Sequence, residues 1–217
     1  MLPTSGFYGK SRYKLYLPFS PSRKIYKIVP IMGTIMESKE DTVLKLFFQQ
    51  PAKEWHFEEI VSAAEITRSK ATLWLKKFRG EGLIRKIKKK GRMPYYLADC
   101  ISPSYQNRKR LFAFQEMYQS GFLTHLSSLE KAKTIIIFGS FTRWDWYEKS
   151  DIDLFIYGDS EGLKIAPYEL KLHRDIEVFV CENEADLARY GSGLLQNIFK
   201  GTTIKGDLNF VKVEVNA

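Results

Sequence analysis

The sequence predicts an α+β chain: a basic, mainly helical segment ending in a β-hairpin, followed by an α/β segment on a small mixed sheet. Three observations predict it. Apolar residues recur at helical spacing between Val43 and Phe78, and two short strand-like runs around a Lys-rich turn follow them. Further on, apolar, β-branched runs at residues 134–138 and 152–157 have the character of buried strands. The charge divides with them: residues 1–133 carry 25 Lys and Arg against 11 Asp and Glu, a surplus of 14, and residues 134–217 carry 9 against 14, a deficit of 5. A basic half suits a polyanion such as nucleic acid, and an acidic half suits metal ions.

With 217 residues, 44% of them apolar, the chain has enough material for one large core or two small ones. Charged residues interrupt every run well short of the ~20 apolar residues of a membrane-spanning helix. Cys100 and Cys181 lie far apart, with no C-x-x-C or Cys/His spacing for zinc, which fits a reducing, cytoplasmic setting. His56, His125 and His173 are likewise isolated. Residues 1–36 are rich in Lys, Arg, Tyr, Pro and Ser without periodicity and read as an irregular extension. They lack the apolar core and cleavage site of a secretory signal. Met32 and Met36 stand just ahead of the first patterned segment and are candidate start sites.

Ser38, three residues before Asp41, resembles a capping box, and Val43, Leu44, Phe47 and Phe48 then mark a first helix. Phe57, Ile60 and Val61 mark a short second helix ending near Ala64. Thr67 caps a third, with Ala71, Trp74, Leu75 and Phe78 on one face and Arg68, Lys70, Lys76 and Lys77 elsewhere; Gly80 and Gly82 stop it. Strands at residues 83–88 and 93–97 follow, joined through Lys89, Lys90, Gly91 and Arg92. Helix, helix, helix, hairpin is the order of a winged helix. Residues 56–99, above all "ITRSKATLWLKKFRGEGLIRKIKKKGRMPYYLAD", resemble the winged helix-turn-helix family. The resemblance implies a nucleic-acid-binding domain over residues 37–101, with duplex DNA as partner. Its phosphate contacts would come from Arg68, Lys70, Lys76, Lys77, Lys88, Lys89, Lys90 and Arg92. The other reading of the Lys-rich hairpin is a solvated turn. Ser102 and Pro103 then start a linking helix, expected over residues 102–133, in which Leu111, Phe114, Tyr118, Phe122, Leu126 and Leu129 form the packed face.

From Thr134 the chain reads T-I-I-I-F-G-S, and ten residues later S-D-I-D-L-F-I-Y-G. Strand side chains alternate, so Asp151 and Asp153 share a face about 7 Å apart, while Ile152, Leu154 and Ile156 point into the core. Carboxylates so placed suit Mg²⁺, which takes one or two of them plus substrate phosphates. Gly139 leaves room for a phosphate, and Ser140 offers a hydroxyl and a backbone N–H. Trp144 and Trp146 either stack on a base or cover the junction between the two parts.

The segment "GSFTRWDWYEKSDIDLFIYGD" resembles the Gly-Ser, then Asp-x-Asp signature of nucleotidyltransferases of the polymerase beta superfamily, most closely the minimal nucleotidyltransferases of archaea and bacteria. The resemblance implies a nucleotidyltransferase domain over residues 134–217. Gly139, Ser140, Arg143 and Ser150 would bind the nucleotide, ATP. Asp151, Asp153 and a third carboxylate would be catalytic and hold two Mg²⁺ ions. In "HRDIEVFVC" both Asp175 and Glu177 share a strand face, and the family's apolar-Asp-apolar pattern matches Ile176, Glu177 and Val178. Glu177 is therefore the third ligand and Asp175 the runner-up. Thr142 and Trp144 replace the small residues that commonly flank the loop Arg, and Glu177 replaces the commoner Asp. "LLQNIFKGTTIKGD" resembles the closing helix and strand. The family implies transfer of a nucleoside monophosphate to a protein hydroxyl, an RNA end or a small molecule, and in some members a helical partner protein in a toxin–antitoxin pair. The alternative is a DNA-binding transcriptional regulator whose nucleotidyltransferase-like domain senses a nucleotide.

Overall fold

The computed structural model describes residues 38–208; the extension expected over residues 1–36, with Met32 and Met36, lies outside the described residues. Helix α1 (Lys39–Gln49) starts where the Ser38 hydroxyl accepts the Asp41 N–H at 3.1 Å, satisfying one of the donors a helix start leaves open. It buries Val43, Leu44, Phe47 and Phe48. Strand β1 (Trp55–His56) leads directly into α2 (Phe57–Ala63). Thr67 then caps α3 (Arg68–Gly80), which buries Ala71, Leu75 and Phe78 and leaves Trp74 half-buried.

Gly82, at φ +70°, turns the chain out of α3 into β2 (Ile84–Ile87), which pairs antiparallel with β3 (Tyr95–Ala98). β1 adds to the far side of β3, with Trp55 opposite Tyr96, for a sheet order of β1-β3-β2. Sequence patterning gives no sign of β1, because two residues are too few to show an alternation.

The single helix expected over residues 102–133 is two. Helix α4 (Pro103–Gln119) ends before Gly121, whose φ of +83° interrupts the helix, and α5 (Phe122–Ser127) follows. The packed face of α4 also differs from the apolar stripe: Tyr105, Lys109, Phe112, Ala113 and Met117 are buried, whereas Leu111 and Tyr118 are 63% and 66% exposed. Lys109 shares that buried face. Its ammonium donates to the Trp146 carbonyl, lies 4.4 Å from the Trp146 ring centroid and reaches the Tyr105 hydroxyl at 3.5 Å. A side chain that polarity assigns to solvent thus occupies the core, and burial lowers its pKa to about 8.

The second sheet starts with β4 (Ala132–Phe138), which runs into the one-turn α6 (Gly139–Thr142), and continues with β5 (Ile152–Gly158). Helix α7 (Ala166–Leu172) provides the crossover that lets β6 (Ile176–Cys181) lie parallel to β5. Helices α8 (Glu184–Leu187) and α9 (Ser192–Phe199) lead to β7 (Thr202–Lys205), and the order is β6-β5-β4-β7. One face of the sheet carries Ile135, Ile137, Leu154 and Ile156 into the main core; the other carries Ile136, Phe138, Phe155 and Tyr157 against Ile198 of α9. Among the described residues no helix is long and apolar enough to cross a membrane.

That main core is continuous from Val43 of α1 through Phe112 of α4 to Leu154 of β5. Trp146 is its hinge point. Fully buried, its ring stands 6.0 Å from Phe48, 6.5 Å from Phe112 and 5.3 Å from Phe141, centroid to centroid. Of the two roles open to the tryptophans from sequence, Trp146 therefore takes the interior one; Trp144 is half-buried. Truncating so large a buried side chain costs on the order of 3–5 kcal/mol. Trp146→Ala is expected to lose that much in urea unfolding followed by circular dichroism, and a loss under about 1 kcal/mol would contradict this packing.

Candidate functional site

Sheet register determines what stands beside Asp153. On one side β5 pairs antiparallel with β4, placing Asp153 opposite Phe138, the last residue before Gly139. On the other side β5 pairs parallel with β6, placing Asp153 opposite Glu177. Side-chain alternation then turns both carboxylates to the face of Phe155 and away from Ile152 and Leu154, as the pattern predicts.

Gly139 is where the sequence leaves no choice of residue. Its φ is +77°, and a Cβ built there would lie 1.7 Å from Asp153 Oδ2. The backbone of the Gly-Ser turn is thereby brought against the carboxylate, closer than any side chain permits. Ser140 follows, half-buried, and its carbonyl accepts the Arg143 N–H at 3.0 Å as α6 ends.

Burial raises the Asp153 carboxyl first, and the negative charges of Glu177 and Asp151 raise it further, to about 6, against the opposing pull of Arg143. Asp153 thus feels the charge of both Glu177 and Asp151. Among the described residues no group of three or more His, Cys, Asp or Glu is arranged to hold a metal ion. In donor chemistry the set fits a hard divalent cation, since every candidate ligand is an oxygen and the repulsion on Asp153 is what a cation would relieve.

The remaining predicted residues stand as follows. Asp151 is exposed at the entry to β5. Arg143 forks onto Asp145, Nε to Oδ1 at 3.1 Å and Nη2 to Oδ2 at 2.9 Å, with half of its side chain in solvent. Ser150 is buried, and its hydroxyl accepts the Tyr147 N–H at 2.9 Å, which engages it in the turn. Asp175 is exposed one residue before β6, where its backbone carbonyl accepts the Ile152 N–H at 2.9 Å. Of the basic residues, Arg68 is paired with Glu58, and Lys77 with Glu40 at 2.7 Å; Lys70, Lys76, Lys88, Lys89, Lys90 and Arg92 are exposed.

Arg174 is the residue that sequence reading passed over. Buried, it donates from Nη1 to the carbonyls of Tyr147 at 2.9 Å, Glu148 at 3.2 Å and Ser150 at 2.6 Å. The same guanidinium lies 4.6 Å from the Phe141 ring centroid and 4.9 Å from that of Trp146. The available signal was an Arg directly before Asp175 at the mouth of a strand, a position where a solvent-exposed cation is the default reading. A cavity of about 840 Å³ opens alongside, lined by Lys149, Asp151, Glu169, His173 and Asp175 among others. Gly139, Asp153 and Glu177 are not part of that lining, so the cavity adjoins the carboxylates on the Asp151 side.

Compared with known proteins, residues 123–207 match the sequence model of the family described as Polymerase beta, Nucleotidyltransferase. The matched span runs from α5 to β7 and contains every position from Gly139 to Glu177. No curated protein and no solved structure matches the chain significantly.

Asp153 makes this site testable before any reaction is found. Its folded-state pKa of about 6 exceeds the 3.8 of an ordinary Asp, so the ionised group opposes folding at neutral pH and the penalty is relieved as pH falls through 6. Asp153→Asn should therefore stabilise the metal-free protein at neutral pH by about 1 kcal/mol, a figure discounted because water reaches this half-buried group. The gain should vanish toward about pH 4. Urea titrations of both proteins across that range decide it, and a variant less stable than the parent at neutral pH refutes the assignment.

Proposed function

We propose that the chain is a Mg²⁺-dependent nucleotidyltransferase that moves a nucleoside monophosphate from a nucleoside triphosphate, ATP, to an acceptor hydroxyl and releases pyrophosphate. The observation that carries this reading is the Gly139 backbone held against the Asp153 carboxylate, inside the segment that matches the family. In the transfer the acceptor oxygen bonds to the α-phosphorus, the bond from that phosphorus to the β-phosphate oxygen breaks, and the acceptor proton leaves to solvent. Gly139 and Ser140 admit the triphosphate and donate to it. Arg143 shares its guanidinium between Asp145 and the phosphates. Ser150 acts by fixing the turn that presents Asp151. Asp151, Asp153 and Glu177 would hold the divalent cations, which when bound neutralise the triphosphate and acidify the acceptor hydroxyl. The cavity beside Asp151 is the side from which an acceptor approaches.

The three helices and the β1-β3-β2 sheet support reading residues 37–101 as a winged helix-turn-helix domain, joined through residues 102–133 to a nucleotidyltransferase domain over residues 134–217. The exposed cations of α3 and the hairpin make nucleic acid the partner of that part. A second reading, a DNA-binding regulator that senses a nucleotide without turning it over, draws on Trp144 and Glu177, which stand where the family commonly has a small residue and an Asp.

Incubation with labelled nucleoside triphosphates, Mg²⁺ and cell extract is expected to label an acceptor. Asp151→Asn and Glu177→Gln should abolish the labelling, while Asp175→Asn retains most of it. Equal loss in Asp175→Asn and Glu177→Gln would reassign the third carboxylate. Calorimetry that finds ATP bound by the parent, with no component ever labelled, would favour the sensor.

A further inference from the structure

Between α3, the start of α2 and the β2–β3 hairpin lies a cleft of about 490 Å³. Phe57, Met93 and Tyr96 give it an apolar floor, and Lys76, Arg79 and Lys86 stand around it. Met93 is 73% exposed, so this floor is open at the hairpin side. The Lys86 ammonium lies 5.6 Å from the Tyr96 ring centroid, which puts positive charge at the edge of the floor. The acid in the lining, Glu58, is already engaged by Arg68. Among the described residues none of the three cations has a carboxylate partner. Exposed Lys88, Lys89, Lys90 and Arg92 continue the charge along the hairpin.

Three uncompensated cations around an apolar floor call for an occupant with a flat apolar body and more than one negative charge. A nucleotide has both, and the volume lies within the ~300–1,000 Å³ of small-ligand sites. Duplex DNA offers no such free apolar face, because its bases are stacked and show only their edges in the grooves. Here the α3 face bearing Thr72 and Lys76 looks across the cleft at Lys86 and Met93 of the hairpin. An unpaired base, by contrast, can lay its face on apolar and aromatic side chains while its phosphates meet the cations.

We propose that this cleft takes an unpaired nucleotide of a single-stranded nucleic acid, with the base on Met93 and Phe57 and the flanking phosphates at Lys76, Arg79 and Lys86. The proposal rests on the nucleic-acid reading above and replaces its expected duplex by a single strand. Fluorescence anisotropy with labelled oligothymidylate of about 12 nucleotides, its oligouridylate counterpart and a duplex of equal length tests it. The full chain should bind a single strand about tenfold more tightly than the duplex, and the two single-stranded arms show whether the sugar matters. Joint replacement Arg79→Ala and Lys86→Ala should weaken single-strand binding several-fold. It should also flatten the log–log salt slope by about 1.4, since each phosphate on a single strand contributes about −0.7. Met93→Glu, at an exposed position where the fold is not at stake, should weaken it at least as much. A duplex bound as tightly as the single strands, or variants that leave affinity and slope unchanged, would overturn the cleft assignment while nucleic-acid binding stands. No binding of any probe at low salt would remove both.

Discussion

The guanidinium of Arg174 is bonded to three carbonyls of the 147–150 turn and lies close to two aromatic rings, and the site depends on that arrangement. The carbonyls belong to Tyr147, Glu148 and Ser150, so they determine where the chain stands as it enters Asp151. The rings belong to Phe141, two residues beyond Gly139, and to Trp146. One buried cation thus ties the turn after Gly139 to the turn that leads into Asp151. Its burial opposes the charged state, and Glu116, Glu148 and Asp151 act the other way. A guanidinium suits the task because its donors lie in a rigid plane whose faces remain free for the rings. A lysine offers a point charge and no such plane.

The same loop is anchored from a third direction. The Glu148 N–H donates to the Gln49 carbonyl at 3.0 Å, and the Gln50 amide donates to the Glu148 carboxylate at 3.2 Å. Both partners lie at the end of α1, in the helical half of the chain. The Tyr105 hydroxyl of α4 caps the neighbouring Phe47 carbonyl at 3.1 Å. Lys109, one turn on, donates to the Trp146 carbonyl. Open backbone acceptors at the end of α1 are therefore met by the 146–150 loop and by α4, and those of the loop by α4 and Arg174, as buried carbonyls require.

Much of this was legible in the residues. Ser38 and Thr67 announce helix starts because a hydroxyl before an apolar-periodic run has a specific bond to make. The Gly-Ser and Asp-x-Asp segments are legible because alternation along two strands leaves the carboxylates only one face to share. The failures have physical causes. Leu111 and Tyr118 of the α4 stripe read as packed because apolarity stands in for burial, yet they are exposed while Lys109 and Arg174 are buried: each found a carbonyl and an aromatic face that together replace water. Such partners come from distant parts of the chain, so no local pattern shows them. The break at Gly121 was passed over for a different reason. A single glycine within a long apolar period is compatible with a continuous helix, and only its positive φ reveals the turn.

Trp146 has a consequence for dissecting the chain. Modules that separate freely meet across polar surfaces. Here the helical half provides Phe48 and Phe112 as the wall against which the loop of the acidic half closes. Cut from that wall, the sheet would present an indole and its surrounding rings to water. A fragment that begins after α4 would therefore bare an apolar face, and a substitution on either side of the junction is constrained by the shape of the other.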